Sequence, residues 1–469
     1  MVSQFDAIVI GTGQAGPSLA TRLSEAGMRV AIIERHRFGG TCVNTGCIPT
    51  KTMIASAYVA QTVRRARTYG VNLGGDMTVD MRAVKARKDA IADNSSREVE
   101  HGLRNLKGVT VFVGTAQFLD TTTVRVNTDT LRASKIFINV GGRAYVPPLP
   151  GIDQTPFLTN SSMMQVDFLP THLIIVGGSY VGLEFAQMFR RFGSEVTVVE
   201  KDSRLVARED EDVSEAVREI LENEGIAIRL NANCISAKRA SDMGGIVVGV
   251  DCQEGEPQVA ASHLLLAVGR IPNTGDLALD LAGVETDDRG YIKVDDQCQT
   301  NVPGIWALGD CNGRGAFTHT SYNDFEIVAG NLLDNDLRRL SDRIPCYALY
   351  TDPPLGRIGL TEAQVRKTGR RALIARRPMS RVSRAVERGE SQGFMKVLVD
   401  ADSKMILGAA LLGLNADEVV HCLLDVMYAH TPYTVVRRAV HIHPTVSELI
   451  PTMLGELERM GTLNERLER

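Results

Sequence analysis

The hydrophobic positions of this chain gather into short unbroken runs, the pattern of strands buried on both faces of a parallel sheet. Asp6-Ala7-Ile8-Val9-Ile10 is the first such run. Gly11-Thr12-Gly13-Gln14-Ala15-Gly16 follows at once and opens a helix through Leu23, and a second run from Arg29 to Ile33 ends in Glu34. The order returns at His172–Val176: strand, then Gly177-Gly178-Ser179-Tyr180-Val181-Gly182, a helix through Phe192, and a strand from Val196 to Val199 ending in Glu200. Two such units predict an α/β chain with two Rossmann-like dinucleotide-binding domains.

Between the units, basic helices are predicted from Lys51 to about Tyr69 and from about Asp80 to Leu106, their Arg and Lys forming a solvated face. Val109 to Val140 changes to short β runs with turns at Leu119-Asp120 and Asn127-Thr128-Asp129, a three-stranded meander that returns to the main sheet. Pro147-Pro148-Leu149-Pro150-Gly151 then stops regular structure. The expected division is 1–150 for the first part of one nucleotide domain, 151–273 for the second, 274–343 for a return to the first, and 344–469 for a C-terminal α+β domain. In that last region, strands at Phe394–Asp400 and Met405–Leu412 precede a helix capped by Asn415, with Asp417 and Glu418 in its first turn. Val419, Val420, Leu423, Leu424, Val426 and Met427 cover more than one helix face, as a dimer contact requires.

The glycines carry chemistry as well as shape. In strand–GxGxxG–helix context Gly11, Gly13 and Gly16 give a tight turn, a close backbone approach to a pyrophosphate and close helix packing. Glu34 can accept both hydroxyls of an adenosine ribose. In the second unit Gly177 and Gly182 remain while Ser179 takes the middle place, which loosens the approach without abolishing it. Glu200 favours a free ribose 2′-hydroxyl over a 2′-phosphate, so NADH is expected in preference to NADPH, with Lys201 and Arg204 nearby acting against that preference.

The run Gly39-Gly40-Thr41-Cys42-Val43-Asn44-Thr45-Gly46-Cys47-Ile48-Pro49-Thr50-Lys51 sets two cysteines where a helix begins. Pro49 suits a first helical turn, so Cys47 lies near a helix N-terminus, where a thiolate is stabilised. Flexible Gly46 lets Cys42 fold back on Cys47 into a small ring that can open and shut. A structural disulfide, a zinc site and two buried thiols remain alternatives on spacing alone. Near the C-terminus, His441-Ile442-His443-Pro444-Thr445-Val446-Ser447-Glu448 offers a histidine with a carboxylate to hold it as an acid–base group. A His-x-His metal pair competes, with His421-Cys422 the nearest candidates to complete it.

Composition narrows the partners. The 469 residues are 44% hydrophobic and 23% charged, ordinary for a globular chain of several domains. With 52 Lys+Arg against 56 Asp+Glu, the net charge of −4 gives no basic field, so nucleic acid and membrane are not expected partners. MVSQFDAIVI lacks the features of a signal peptide, and the remaining cysteines (234, 252, 298, 311, 346, 422) are scattered singly. A cytoplasmic protein is expected.

The cysteine run resembles the active-site signature of the flavin-dependent pyridine nucleotide-disulfide oxidoreductases, the family of dihydrolipoamide dehydrogenase, glutathione reductase and mercuric reductase. Both glycine motifs, the Gly304–Asp310 strand and the C-terminal histidine motif stand in family order, so the resemblance covers nearly the whole chain. It implies an FAD domain, an NAD(P)-binding domain and a C-terminal dimerisation domain, with a redox-active Cys42–Cys47 disulfide. It also implies that Cys47 is the thiolate beside the flavin and Cys42 the attacker of substrate sulfur. His443, paired with Glu448, would act on the disulfide of the other subunit, with His441 behind it. By match, Gly40, Thr41, Gly309, Asp310 and Thr318 hold FAD, Lys51 and Glu184 pair beside its N5, Tyr180 covers its ring as a gate, and Gly269-Arg270 closes the NAD(P) unit. A small-molecule disulfide reductase is placed ahead of a dihydrolipoamide dehydrogenase. A mercuric-reductase-like or oxidant-stress flavoprotein and a non-catalytic flavin redox sensor are the further readings. Mercuric reductase itself fits poorly, because no cysteine pair stands in Gly461–Arg469.

Overall fold

In the computed structural model residues 2–240, 245–251 and 256–461 are described. Cys252, the Cys234 side chain and residues 462–469 lie outside them, and with them most of the C-terminal segment that weighed against mercuric reductase.

The first nucleotide unit is a five-stranded parallel sheet ordered Ile305–Ala307, Lys135–Ile138, Ala7–Ile10, Val30–Glu34, Val109–Val113. Ala7–Ile10 and Val30–Glu34 are buried at every position, which is why they read as unbroken apolar runs. Leu19, Ala20 and Leu23 of helix Ala15–Glu25 close one face. The meander is formed by Ala116–Phe118, Thr123–Val126 and Asp129–Arg132, and Val2–Gln4 adds an unforeseen fourth strand, parallel to the last. The chain then rejoins the main sheet twice, through Lys135–Ile138 and, after the second unit, through Ile305–Ala307.

The second unit repeats the plan with four parallel strands ordered Ala227–Arg229, Glu195–Val199, His172–Val176, His263–Leu266, beside a three-stranded antiparallel sheet spanning Asn233–Ala261. The outgoing and returning chains cross side by side, Gly142–Ala144 pairing with Arg270–Pro272. The C-terminal domain is a six-stranded antiparallel sheet from Cys346–Leu349 to Glu458–Arg459.

Three expectations need correction. Lys88, read with the solvated residues of helix Met81–Asn105, is 2% exposed because its Nζ donates to Met164 O at 2.7 Å and meets Asp89. The helix expected from Asn415 is two short helices, Ala416–Val419 and His421–Tyr428; Asn415 sits at φ 54° and its side chain caps nothing. That left-handed turn spends Asn415 on reversing the chain after strand Ile406–Leu412. The closing segment that carries His441–Glu448, expected from the sequence to be helical, is irregular around His443, where proline at 444 disfavours helical backbone before it, and the next helix starts at Leu449. Of the broad apolar surface, Val420, Leu423 and Leu424 are buried in the chain, while Val419, Val426 and Met427 are half-buried.

Candidate functional site

One continuous cavity of about 1810 Å³ runs between the nucleotide units. Its wall includes Gly11, Gly13, Glu34, Gly40, Thr41, Cys42, Cys47, Lys51, Gly177, Tyr180, Glu184, Glu200, Gly269, Arg270, Asp310 and Thr318. Gly16, Gly182 and Gly309 stand behind it. A Cβ on Gly16 would lie 2.1 Å from Gly11 O, and one on Gly182 would lie 2.1 Å from Gly177 O, so both permit a helix to press on its own loop. A Cβ on Gly309 (φ 72°) would lie 2.6 Å from Ser321 Oγ.

The two acid-ended strands are built alike. Glu34 Oε2 accepts from Thr12 N at 3.1 Å and its Oε1 from His36 N at 2.9 Å. Glu200 Oε2 accepts from Gly178 N at 2.6 Å and its Oε1 from Asp202 N at 3.0 Å. Each carboxylate is thus pinned at the mouth of its glycine loop, where a ribose would follow the pyrophosphate. Ser179 has φ −109° and ψ −176°, extended backbone open to any residue, so the loss of the middle glycine strains nothing. Lys201 and Arg208 line the cavity near Glu200, whereas Arg204 turns to Ala207 O at 3.2 Å. Asn139, which sequence reading missed, accepts from Gly16 N at 3.1 Å and donates to Leu308 O at 3.0 Å, tying the first loop to the strand before Asp310. Burial raises the Asp310 carboxyl above the usual range, against the pull of Arg270 at 3.4 Å.

Gly39 (φ 95°) and Gly40 (φ 63°) turn the chain into helix Gly40–Asn44, which carries Cys42. A Cβ at Gly40 would lie 2.8 Å from Gly13 Cα, so the glycine lets the two loops touch. Cys47 is the first residue of helix Cys47–Arg65, with Gly46 before it and Pro49 in the first turn. Cys42 is half-buried and Cys47 is exposed. They are unequal: the Cys42 thiol as hydrogen donor, followed by Thr318 and Lys51, lowers Cys47 to about 6 against its burial, while the same contact and burial raise Cys42. Thr318 Oγ1 lies 3.0 Å from Cys47 Sγ, a sulfur contact that no local sequence signal announced. Lys51 Nζ meets Glu184 Oε2 at 2.7 Å and stands 4.5 Å over the Tyr350 ring; Tyr350 N donates to Glu184 Oε1 at 3.1 Å.

His443 and Glu448 come together as expected, Nδ1 lying 2.9 and 3.1 Å from the two carboxylate oxygens. The His443 side chain is 74% exposed, and none of His441–Glu448 lines the cavity of its own chain. His441 Nδ1 is buried without a hydrogen-bond partner among the described residues. No metal cluster forms around His441, His443, His421 or Cys422 among those residues; the one acidic group of that kind, Asp210, Asp212 and Glu362, is filled by Lys396 Nζ at 3.1, 2.7 and 2.9 Å.

Two pinned glycine loops facing one continuous cavity, with two cysteines on its wall, suit FAD and NAD(P)H and define a flavin-dependent dithiol–disulfide oxidoreductase. The chain belongs to the pyridine nucleotide-disulphide oxidoreductase family, whose model matches residues 5–324, with that family's dimerisation domain at 346–454. It is similar to the probable pyridine nucleotide-disulfide oxidoreductase RclA of Escherichia coli K12, 35% identical over 95% of this chain and 98% of that one. It is also similar to dihydrolipoyl dehydrogenase of Chlamydia pneumoniae (30%, 96% of each chain) and to mercuric reductase of Streptomyces lividans (31%, 95% and 94%). A solved structure of the HOCl-induced flavoprotein disulfide reductase RclA superposes with a TM-score of 0.87 at 34% identity, over 96% of this chain and 99% of that one; a Cu(II) complex of the same protein matches at 0.87. The enzyme is therefore an FAD-dependent oxidoreductase using NAD(P)H. Among the described residues no helix is long and apolar enough to cross a membrane.

Proposed function

We propose that the enzyme works as a cytoplasmic homodimer that spends NADH to reduce a small-molecule disulfide. The observation that carries this reading is the placement of two cysteines on one cavity wall, Cys47 opening helix Cys47–Arg65 with Thr318 Oγ1 3.0 Å from its sulfur, a setting that lowers Cys47 and raises Cys42. An exchange needs one sulfur stored as thiolate and one whose proton is released on demand. Glu200, pinned at the second ribose position, supports NADH over NADPH.

Gly11, Gly13, Glu34, Gly40, Thr41, Asp310 and Thr318 would hold FAD, Gly177, Glu200, Gly269 and Arg270 would hold NADH, and Tyr180 would cover the flavin ring until nicotinamide displaces it. When bound, FAD supplies two-electron transfer between nicotinamide and sulfur. Lys51 and Glu184 form a fixed charge pair beside that path. Once the dithiol is made, His443 of the partner subunit takes the Cys42 proton, and Cys42 sulfur attacks one sulfur of the substrate. The substrate S–S bond breaks, a mixed disulfide forms, and His443 returns the proton to the departing thiolate. Cys47 thiolate then attacks the Cys42 sulfur, closing the Cys42–Cys47 disulfide and expelling the second thiolate, which is protonated by water. Glu448 keeps His443 oriented throughout. The exposure of His443 away from its own cavity supports service to a neighbouring protomer.

The test is anaerobic NADH and NADPH oxidation with lipoamide, glutathione disulfide and other small disulfides, and with Cu(II), since a relative was solved as a Cu(II) complex. NADH-dependent reduction of a disulfide, lost in both Cys42→Ser and Cys47→Ser, is expected. Bound FAD without turnover on any acceptor would favour a redox sensor, turnover only with NAD⁺ and dihydrolipoamide would favour the dehydrogenase, and turnover on Cu(II) alone would favour a metal-ion reductase.

A further inference from the structure

A buried carboxylate outside the reacting centre is tied to the side chain at the start of the second glycine-loop helix. Glu209 precedes helix Glu211–Asn223 and is 2% exposed. Its Oε1 accepts two phenols at once, Tyr180 at 2.9 Å and Tyr347 at 2.7 Å. Its Oε2 has no hydrogen-bond donor among the described residues, because Arg357 Nε, 3.0 Å away, is in charge contact but badly aligned. Arg357, 1% exposed in strand Leu355–Gly359 of the C-terminal domain, also reaches Asp210 Oδ2 at 3.0 Å. The guanidinium balances the charge and leaves the other oxygen to the phenols, whose rings meet edge-on at 5.5 Å.

Of these side chains Tyr180 alone lines the main cavity. It opens helix Tyr180–Phe192, and Glu184, one turn on along the same face, holds Lys51. We propose that Glu209 is a positioning residue that latches Tyr180 by its hydroxyl across the nicotinamide end of the cavity, so that nicotinamide enters only by breaking that hydrogen bond. This rests on reading the cavity as the NAD(P)H site. A buried Arg–Glu pair is weak evidence of a purely stabilising role, since an apolar pair of equal volume serves as well or better. A hydrogen bond to an anion, by contrast, is roughly twice as strong as a neutral one. Tyr347 tempers it, because two donors divide the charge of one oxygen and each is held less firmly than it would be alone. The latch is therefore strong enough to place the ring and weak enough to release it.

Glu209→Gln would strip Arg357 of a counter-charge and endanger the fold, so the phenols are the better probes. NAD⁺, and ADP-ribose, which lacks the nicotinamide, are titrated calorimetrically into oxidised FAD-loaded protein and its Tyr180→Phe and Tyr347→Phe variants. Tyr180→Phe frees the ring and is expected to tighten NAD⁺ about tenfold. Tyr347→Phe leaves Oε1 to Tyr180 alone and is expected to weaken NAD⁺ about threefold, with ADP-ribose unchanged in both variants. The latch is overturned if NAD⁺ affinity in Tyr180→Phe stays within about twofold of the parent, if Tyr347→Phe tightens NAD⁺, or if ADP-ribose shifts by the same factor as NAD⁺. A parent protein that binds neither ligand overturns the nucleotide reading itself, a failure distinct from the others.

Discussion

Thr318→Val deletes one hydroxyl while keeping the outline of the side chain, so it isolates the 3.0 Å contact between Thr318 and Cys47 Sγ. With Cys47 lowered to about 6, it is expected to be mostly thiolate at pH 7 and to lose that charge as pH falls through the same value. A hydrogen bond to an ionised group contributes about 1.5–3 kcal/mol. Cys47 opens on the solvated cavity, so the lower end applies, equivalent to about one pH unit. The variant should therefore titrate about one unit higher and hold only about half its Cys47 as thiolate at pH 7. Iodoacetamide alkylation of the reduced protein across the pH range, with peptide masses separating Cys47 from Cys42, measures both midpoints. The reasoning is refuted if parent Cys47 reacts with an ordinary thiol midpoint of about 8.5, or if Thr318→Val leaves the midpoint where it was.

Lys396→Met leaves buried Asp210 and Glu362 and half-buried Asp212 without their shared cation and should cost about 3–5 kcal/mol, read as a lowered melting temperature; an unchanged melt would contradict it. Gly16→Ala forces a Cβ to 2.1 Å from Gly11 O, so the purified variant should lose its flavin absorbance, and full flavin occupancy would count against the loop assignment. Glu448→Ala releases His443 and should lower disulfide turnover about a hundredfold while flavin reduction by NADH proceeds at the parent rate. Equal loss in the two half-reactions, followed by stopped flow, would remove the dyad from the proton path.

What the sequence disclosed was whatever is local. Strand His172–Val176 has the limits its periodicity implied, helix Tyr180–Phe192 ends where expected though it starts inside the glycine motif, and Cys47 begins a helix as Pro49 required. Each follows from neighbouring residues, where propensity and steric rules act. The meander from Ala116 to Arg132 was legible through its turns, yet Val2–Gln4 was not, since three exposed residues show no burial pattern. Asn415 was misjudged because the same side chain suits an N-cap and a left-handed turn. The rest was hidden by distance along the chain. Asn139 meets Gly16 across 123 positions and Thr318 meets Cys47 across 271, and neither residue type is marked by its own surroundings. Lys88 and Lys396 looked like any surface lysine, because burial of a cation is decided by carboxylates and carbonyls supplied from elsewhere.

The knot of Arg357 and Lys396 with Glu209, Asp210, Asp212 and Glu362 adds buried charge to the apolar seam between the second nucleotide unit and the C-terminal domain. Anyone hoping to change coenzyme preference by transplanting the second unit from a relative inherits a seam of this kind. Acids would arrive on the graft while their cations stay with the host, and a chimaera that breaks the set strands an ion in a dry place. Modules that look interchangeable on paper are, here, keyed to one another.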